Sequence, residues 1–403
     1  MTMKSGDTRR PVIIAGAGPS GMCAALFLIE RHGIPVLVIE RATGDAADPR
    51  AATFHPPTLE MLAPSGVTAK LMEAGIVAAR WQRRDRTEGK VAEFDLGILK
   101  DDTTFPFRLQ CEQHKLVNIV REQLAGNPLF ELRQGEAITG IAQDDDGVSV
   151  TTDKGEYQAE WLIGADGGRS VVRKSRDFAF EGFTYAERFL VITTNFDFEA
   201  EGYAFSNYVS DPEEWCAVFK VPAEGPPGLW RTVFPTDPAD DEAQLTSFAN
   251  CRARMERFVG PGRDFDVVHT NLYSVNQRVA SSFRDGRILL AGDAAHLNNP
   301  LGGMGMNFGI HDAENLARSL AAWKETGDEA PLDLYDRQRR FAAQAVLQSM
   351  TIENKESLEQ TDREAAAAER EKFRRIAADP VATRAYLLKT AMIEGFNKAN
   401  SIP

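Results

Sequence analysis

The sequence predicts an α/β fold in which a parallel sheet carries a β-meander and receives an inserted, mostly antiparallel sheet. Three observations carry this prediction. Residues 12–40 (VIIAGAGPSGMCAALFLIERHGIPVLVIE) run as strand, helix and strand. Residues 162–174 and 288–320 each repeat an apolar strand that ends in a glycine turn bearing an acid. Residues 178–275 change to aromatic and β-branched residues interleaved with charges.

Composition sets the outer bounds. The chain has 403 residues, 43% hydrophobic and 26% charged, long enough for two or three domain-sized cores of an ordinary soluble protein. No apolar run reaches 18 residues, and glycines and a proline interrupt the N-terminal apolar segment. Neither a membrane span nor a signal-peptide core is expected. A net charge of −13 argues against nucleic acid or an anionic membrane as a partner. The four cysteines are far apart, without a C-x-x-C pair or a histidine cluster, so free thiols in a reducing cytoplasm are expected and no metal site.

Taken in order, residues 12–15 form a buried-type strand, 20–32 a helix closed by Gly33, and 36–39 a second buried strand. This Rossmann-like unit holds Gly16-x-Gly18-Pro19-Ser20-Gly21 at its first turn. Gly16 allows the tight turn, Gly18 lets a pyrophosphate approach the backbone, and Gly21 lets helix and strand touch. Phosphates would sit at the helix N-terminus. Glu40, followed by Arg41, stands where an acid accepts hydrogen bonds from an adenosine ribose. The unit alone leaves NAD and FAD equally open.

Arg50 lies a few residues further on, where it could reach a pyrophosphate or remain a solvated loop residue. His55, in a proline-flanked loop, reads as a surface histidine in preference to a pocket rim. The helix entered near Gln113 carries Leu116, Ile119, Val120 and Leu124 on one face, and Gln113 could bind a ligand or cap that helix. Residues 130–163 read as a β-meander with polar turns. It leads to Gly164-Ala165-Asp166-Gly167, with Asp166 at a strand end, where open α/β sheets bind ligands. The aromatic-rich insert 178–275 follows. Its rings (Tyr203, Phe205, Tyr208, Trp215, Phe219, Trp230, Phe234) belong mainly in the core, with a few lining a flat cavity. The third stretch, ILLAGDAAHLNNPLGGMGMNFGIHDAENLARSL, ends a strand on Gly292-Asp293 and opens a helix through Gly302, Gly303 and Gly305. Residues 333–378 read as helical, with DREAAAAEREKFRR a solvated face, and a last helix is expected near 381–393.

GAGPSG with Glu40, GADGGRSVVR and GDAAHLNNPLGGMGMNFGIHDAENLA together resemble the class A FAD-dependent aromatic monooxygenase family, of the para-hydroxybenzoate hydroxylase fold. The agreement in order and spacing spans roughly residues 10–320, and the third motif selects FAD over NAD. The resemblance implies a Rossmann-like FAD-binding domain with a parallel sheet and β-meander, assembled from residues 1–75, 105–177 and 276–330. It also implies a mostly antiparallel substrate-binding sheet from 76–104 and 178–275, and C-terminal helices over 331–403. NADPH or NADH would be co-substrate without a second Rossmann unit. By motif position, Gly16, Gly18, Pro19, Ser20 and Gly21 lie under the pyrophosphate, Glu40 and Arg41 at the ribose, and Arg50 and Gln113 against FAD. Asp166 is tied to FAD and pyridine nucleotide, Gly292 and Asp293 to the ribityl chain, and Pro300, Gly303, Gly305, Met306 and Asn307 to the isoalloxazine ring. Asn299 and Met304 depart from the pattern, where proline and Gln or Lys are common. The chain resembles the short branch of roughly 400 residues, without the thioredoxin-like extension.

The resemblance implies hydroxylation of a small phenolic or heteroaromatic substrate with dioxygen, through a flavin hydroperoxide, in a cytoplasmic monomer or homodimer. Pro300, His55, Tyr203 and Tyr208 are the candidate catalytic residues, with His269 a further candidate base. The alternatives are a flavin-dependent reductase on the same fold, a halogenase, which the missing W-x-W-x-I-P disfavours, and a nucleotide-binding protein without turnover.

Overall fold

The computed structural model describes residues 12–44, 51–176 and 178–403. Its first unit is β1 (Val12–Ala15), α1 (Pro19–His32) and β2 (Val36–Glu40). Gly33 closes α1 in the left-handed conformation, its N–H reaching the Ile29 carbonyl at 3.0 Å. A six-stranded sheet forms around this unit in the order Arg284–Asp285, Ile288–Leu290, Trp161–Gly164, β1, β2, Phe130–Gln134. All its pairs are parallel except the one at the Arg284–Asp285 edge. The central strands are continuous apolar runs because helices and the meander cover both faces.

Register explains how the three glycine turns meet. Ala15 pairs with Gly164, and Gly164 with Leu290. Three turns far apart in sequence, at Gly16, Ala165 and Ala291, therefore leave the sheet side by side at its carboxyl edge.

The region expected as one meander divides. Only Ile138–Gln143, Val148–Thr152 and Glu156–Ala159 form the antiparallel three-stranded unit, while its flanking strands join the parallel sheet. The four residues of Trp161–Gly164 are buried, whereas the meander strands alternate, as the difference between a two-sided and a one-sided environment requires.

The second large sheet has eight strands in the order His296–Leu297, Val267–Ala280, Phe180–Thr194, Leu229–Pro235, Cys216–Val221, Ser206–Ser210, Arg80–Asp85, Gly89–Asp95. One pair, Ser206–Ser210 with Arg80–Asp85, is parallel. Ile76–Ala78 pairs elsewhere, with Arg108–Gln110. Strand alternation divides the residues of this sheet between two environments. Leu190, Ile192, Val218, Trp230 and Phe234 pack with Cys251 and Met255 of the helix Phe248–Val259. Phe189, Trp215, Ala217 and Val275 pack with Leu301 of the glycine loop and Leu358 of the helix Ser349–Leu358.

The C-terminal helices differ from the expectation. The helical run from Ala330–Phe341 continues through a π-helical turn into Ser349–Leu358 and then stops. It restarts at Arg363–Ala378, where the Asp362 carboxylate accepts the Ala365 N–H at 2.8 Å. Asp379 caps Pro380–Thr390 in the same way, and a separate helix, Ile393–Asn400, follows. The expected solvated face is also interrupted: Phe373 is buried against Phe94 and Tyr386.

Candidate active site

At the first turn, two glycines are demanded by packing and one is not. A methyl on Gly16 would lie 2.5 Å from the Ala165 carbonyl oxygen, and one on Gly21 would lie 2.0 Å from the Gly16 oxygen. Gly18 has φ −72°, and a Cβ there would meet nothing within 4 Å. Neither conformation nor internal contact requires Gly18 to lack a side chain, so the bare backbone faces open space at the start of α1. That is the geometry a pyrophosphate needs. Pro19 occupies the first helical turn, where a missing N–H costs nothing. Ser20 points inward: ideal Cβ atoms on Gly292 and Gly309 would each come within 2.3 Å of its hydroxyl. Ser20 thus sets the close crossing of α1 with the helix Gly305–Thr326.

Glu40 at the end of β2 accepts the N–H groups of Ala17 and Ala42, both at 2.8 Å, one on each carboxylate oxygen. The carboxylate is held across the mouth of the first turn, with lone pairs remaining for ribose hydroxyls. Arg41 is exposed. Arg50 lies outside the described residues. Gln113 is the first residue of the helix Gln113–Leu124, whose N-cap is Glu112, so capping is not its role.

At the second turn, Asp166 accepts from the Ser170 hydroxyl at 2.5 Å and from the N–H groups of Val171 and Val172 at 2.6 and 3.2 Å. The Arg173 guanidinium then ties this turn to the third, donating to the carbonyls of Gly168 at 2.8 Å and Ala294 at 2.9 Å. Asp293 stands exposed in the tight turn Gly292–Ala294.

Beneath Asp293 lies a buried network that the sequence reading passed over. Asp312 accepts from Gly292 N–H at 2.9 Å, His296 Nε2 at 2.7 Å and Arg339 Nε at 2.6 Å. Burial alone would raise the Asp312 pKa, but the Arg339 guanidinium and His296 hold it well below the usual carboxylate range. His296 and Asp312 stand inside the third motif. The unread signal was a charged residue on the apolar face of a helix, matched by an arginine in the next one.

The glycine loop is held from both sides by uncharged groups. Asn307, fully buried, accepts the His55 N–H at 2.9 Å and donates to the carbonyls of Thr53 and Gly303, both at 2.8 Å. Asn299 takes a place where proline is common in the resembling family. Its N–H reaches Gln277 at 2.9 Å, its side chain donates to Thr351 O at 2.9 Å, and its Oδ1 accepts Leu301 N–H at 3.1 Å. Gly303 N–H closes a turn on the Pro300 carbonyl at 2.9 Å, leaving Pro300 exposed. A Cβ on Gly305 would meet Asn298 Oδ1 at 2.8 Å, and Met306 packs against the main core.

His55 is not at the surface: it is fully buried, and its Nε2 lies 2.9 Å from the Gly302 carbonyl. A proline-flanked loop suggested exposure, but the helix that follows turns the ring inward under the glycine loop. Burial, with Arg108 nearby, lowers its pKa to about 3, so the neutral ring donates Nε2–H to Gly302. Tyr203 packs with Phe198 under the Arg84 guanidinium, in the core covered by Phe248–Val259. His269 is exposed on its strand. Of the residues considered as bases, only Tyr208 lines the cavity beside Gly302 and Met304.

That cavity is narrow, about 10 Å³, and is walled by Trp81, Arg83, Arg108, Tyr208 and Tyr386. Four of these five were not singled out by sequence. Alternation along WQRRD puts Trp81 and Arg83 on one face of the strand and Arg84 on the other, a signal that becomes readable only once the strand is paired. Among the described residues, no helix is long and apolar enough to cross a membrane and no His, Cys, Asp and Glu group could hold a metal. All four cysteines are buried and unbridged.

Comparison with known proteins agrees with this geometry. A family model described as an FAD binding domain matches residues 9–350. Para-nitrophenol 4-monooxygenase of Pseudomonas sp. strain WBC-3 is 31% identical over 400 residues, covering 96% of this chain and 97% of that protein. The 6-hydroxy-3-succinoylpyridine 3-monooxygenase of Pseudomonas putida S16 is 32% identical, covering 83% of this chain and 85% of its own. The crystal structure of p-nitrophenol 4-monooxygenase from Pseudomonas putida DLL-E4 matches with a TM-score of 0.88 at 32% identity, covering 96% of this chain and 98% of that one.

Proposed function

This chain belongs to the class A FAD-dependent aromatic monooxygenases, and from that premise we propose which residues hold the cofactor and which receive the ring. When bound and reduced by NADPH or NADH, FAD activates dioxygen, and the polypeptide supplies binding, orientation and exclusion of water. The open backbone at Gly18 takes the pyrophosphate, Glu40 the adenosine ribose, and Asp293 the ribityl chain. Asp166 shapes the second turn while Arg173 ties it to the third. The loop from Pro300 to Asn307 supports the reacting ring of the cofactor. His55 and Asn307 position that loop, and neither acts as a base.

The observation that carries the assignment is the register bringing the turns at Gly16, Ala165 and Ala291 to one sheet edge, with Gly18 bare above it. The substrate we propose is a small phenol or hydroxylated heteroaromatic, bound between Gly302, Trp81 and Tyr208. The names of the two relatives above, one acting on a nitrophenol and one on a hydroxypyridine, support this class and favour oxygen insertion over an oxygen-free reductase. Four buried thiols without a partner cysteine support a cytoplasmic enzyme, for which we propose a monomer or a homodimer.

The test is purification of a yellow protein whose NAD(P)H oxidation is followed against phenols and hydroxypyridines, with product mass read under heavy-oxygen gas. Substrate-stimulated oxidation with one heavy oxygen in the product is expected. Bound FAD without oxygen incorporation from any of these rings would refute the substrate class. For the residue assignment, Asp293→Ala should weaken FAD retention by about 1.5–3 kcal/mol, the scale of a hydrogen bond to a charged group. Full FAD occupancy at unchanged affinity would remove Asp293 from the site.

A further inference from the structure

Two arginines beside Gly302 are buried without a counter-charge. Arg83 is 6% exposed and Arg108 3%, and among the described residues neither forms an ion pair with an acid. Two other buried arginines are treated differently, Arg339 meeting Asp312 and Arg254 meeting Glu214 at 3.2 Å, whereas Arg173 is held by the carbonyls of Gly168 and Ala294. Arg83 donates to the Ser357 hydroxyl at 2.6 Å and lies 4.5 Å over the Phe373 ring. Arg108 makes a long bond, 3.3 Å, to the Thr390 carbonyl and lies 5.3 Å from the Trp81 ring centre. The Nε atoms of both lack a hydrogen-bond partner. Removing a guanidinium from water is costly unless an anion and well-placed acceptors replace the water. Ring faces and neutral oxygens, the hydroxyls of Tyr208 and Tyr386 included, compensate two such charges only in part. The cavity between them is therefore electropositive, and its walls are flat aromatic surfaces.

Arg83 has a second position in the molecule. It also lines an outer groove of about 320 Å³ between the Arg80–Asp85 strand and the helix Arg363–Ala378, with Ala366 on its wall. The carboxylates there are already engaged: Asp85 and Glu88 with Arg370, Asp211 with Arg86, and Glu369 with the Ser357 hydroxyl. The groove is the wider of the two spaces, and Arg83 is a wall common to both. The hydroxyls of Ser357 and Tyr386 and the ring faces of Phe373 and Tyr208 hold its guanidinium there, with no carboxylate among them. The side chain can turn toward an arriving anion without breaking an ion pair.

We infer that an anionic aromatic ring, a phenolate or an arene carboxylate, enters through this groove, with Arg83 as its charge-selective gate and Arg108 as its inner anchor. The inference rests on reading the inner cavity as the substrate site. Tyr208 and Tyr386 add hydroxyl donors at the same wall. Burial raises the Tyr386 pKa against the opposing pull of Arg83 and Arg108, so its hydroxyl stays protonated at neutral pH. Two guanidiniums also favour the ionised form of a bound phenol, which removes the need for a separate base at this site.

The experiment uses the full chain loaded with FAD and four probes: 4-nitrophenolate, benzoate, and their neutral counterparts 4-nitroanisole and methyl benzoate. Equilibrium dialysis gives affinity, and stopped-flow quenching of tryptophan fluorescence gives rates. At least one anion should bind about 10-fold or more tighter than its neutral counterpart, the scale of a charge-assisted hydrogen bond. Whichever anion does so identifies the source of the charge. Arg108→Met should weaken that anion about 10-fold while leaving the neutral probe within about 3-fold. Ala366→Trp, which fills the groove away from the cavity, should slow association and dissociation together by about 10-fold at unchanged affinity, as a blocked path requires. Equal binding of charged and neutral probes, failure of both anions to bind at millimolar concentration, or unchanged rates in Ala366→Trp would each overturn the inference. Flavin absorbance is read in every sample. A chain that binds no FAD refutes the proposed function, whereas normal flavin content with unselective binding refutes only this inference.

Discussion

Replacing Asp312 by Asn keeps the shape of the side chain and removes one charge from a fully buried site. In the native protein that charge faces Arg339 at 2.6 Å and His296 at 2.7 Å, and it anchors the Gly292 N–H at 2.9 Å. Arg339 is 1% exposed, so the substitution leaves a guanidinium in the core without an anion. Breaking a buried pair in this way costs about 3–5 kcal/mol. Asn can still accept one of the three bonds, which puts the expected loss near the lower end, about 3 kcal/mol. The pH dependence follows from the depressed pKa. The folded-state value lies below the unfolded one, about 3.9, so the carboxylate stabilises the fold fully above that unfolded pKa. As pH falls toward the folded-state value, that contribution is lost. Urea unfolding of both proteins should therefore show a constant gap above about pH 5, narrowing in acid. The turn carrying Asp293 hangs on the same carboxylate, so FAD affinity should fall in step. A gap under about 1 kcal/mol at pH 7, or one that widens in acid, would refute the account of Asp312 as a buried electrostatic anchor.

Gly18→Val and Gly21→Val should separate ligand space from packing. The first meets nothing within 4 Å, so the apoprotein should keep its melting temperature while FAD affinity drops about 100-fold, measured by flavin fluorescence. The second drives a side chain to 2.0 Å from the Gly16 oxygen and should abolish soluble expression. His55→Gln keeps a donor for the Gly302 carbonyl and should cost less than about 10-fold in kcat/KM. A general base would cost about 100-fold or more, and a shifted pH profile between pH 5 and 8 would contradict the neutral ring held at a pKa of about 3. Met304→Gln, at the wall of the inner cavity, should leave FAD bound and change either the substrate preference or the fraction of NAD(P)H oxidised without product. Lost FAD in that variant would place Met304 against the cofactor instead.

The sheet around the first unit was legible because its signals are local. A buried strand, a glycine turn and an acid at its end need only a dozen residues each, and their parallel register follows from burial on both faces. Glu40, Gly18 and Asp293 were singled out as candidates in this way. The cavity walls were not, because they depend on pairing between distant segments. Trp81 and Arg83 face Tyr208 only through the parallel pairing of Arg80–Asp85 with Ser206–Ser210, and Tyr386 arrives from a helix 300 residues later that carried no motif. His55 was misread for the same reason. Its neighbours Asn307 and Gly302 lie about 250 residues away, and a proline-flanked loop on its own suggests only exposure.

The division of charge around the loop links these readings. Pro300 to Asn307 is held by Asn299, Asn307, Gln277 and a neutral His55, none of which changes charge between pH 5 and 8. Charge is kept at two distances from it. The Asp312–Arg339 pair sits beneath the turn at Gly292, where it fixes backbone, and Arg83 and Arg108 stand across the cavity, where a substrate would be. A loop supported by titrating side chains would shift as they ionised and would change the field at the reacting ring. With neutral supports, the uncompensated charge beside the cavity is, among the described residues, positive, and on the proposed reading it belongs to the side that selects the ligand. Any pH dependence of binding should then track ionisation of the ligand and be the same for wild type and His55→Gln.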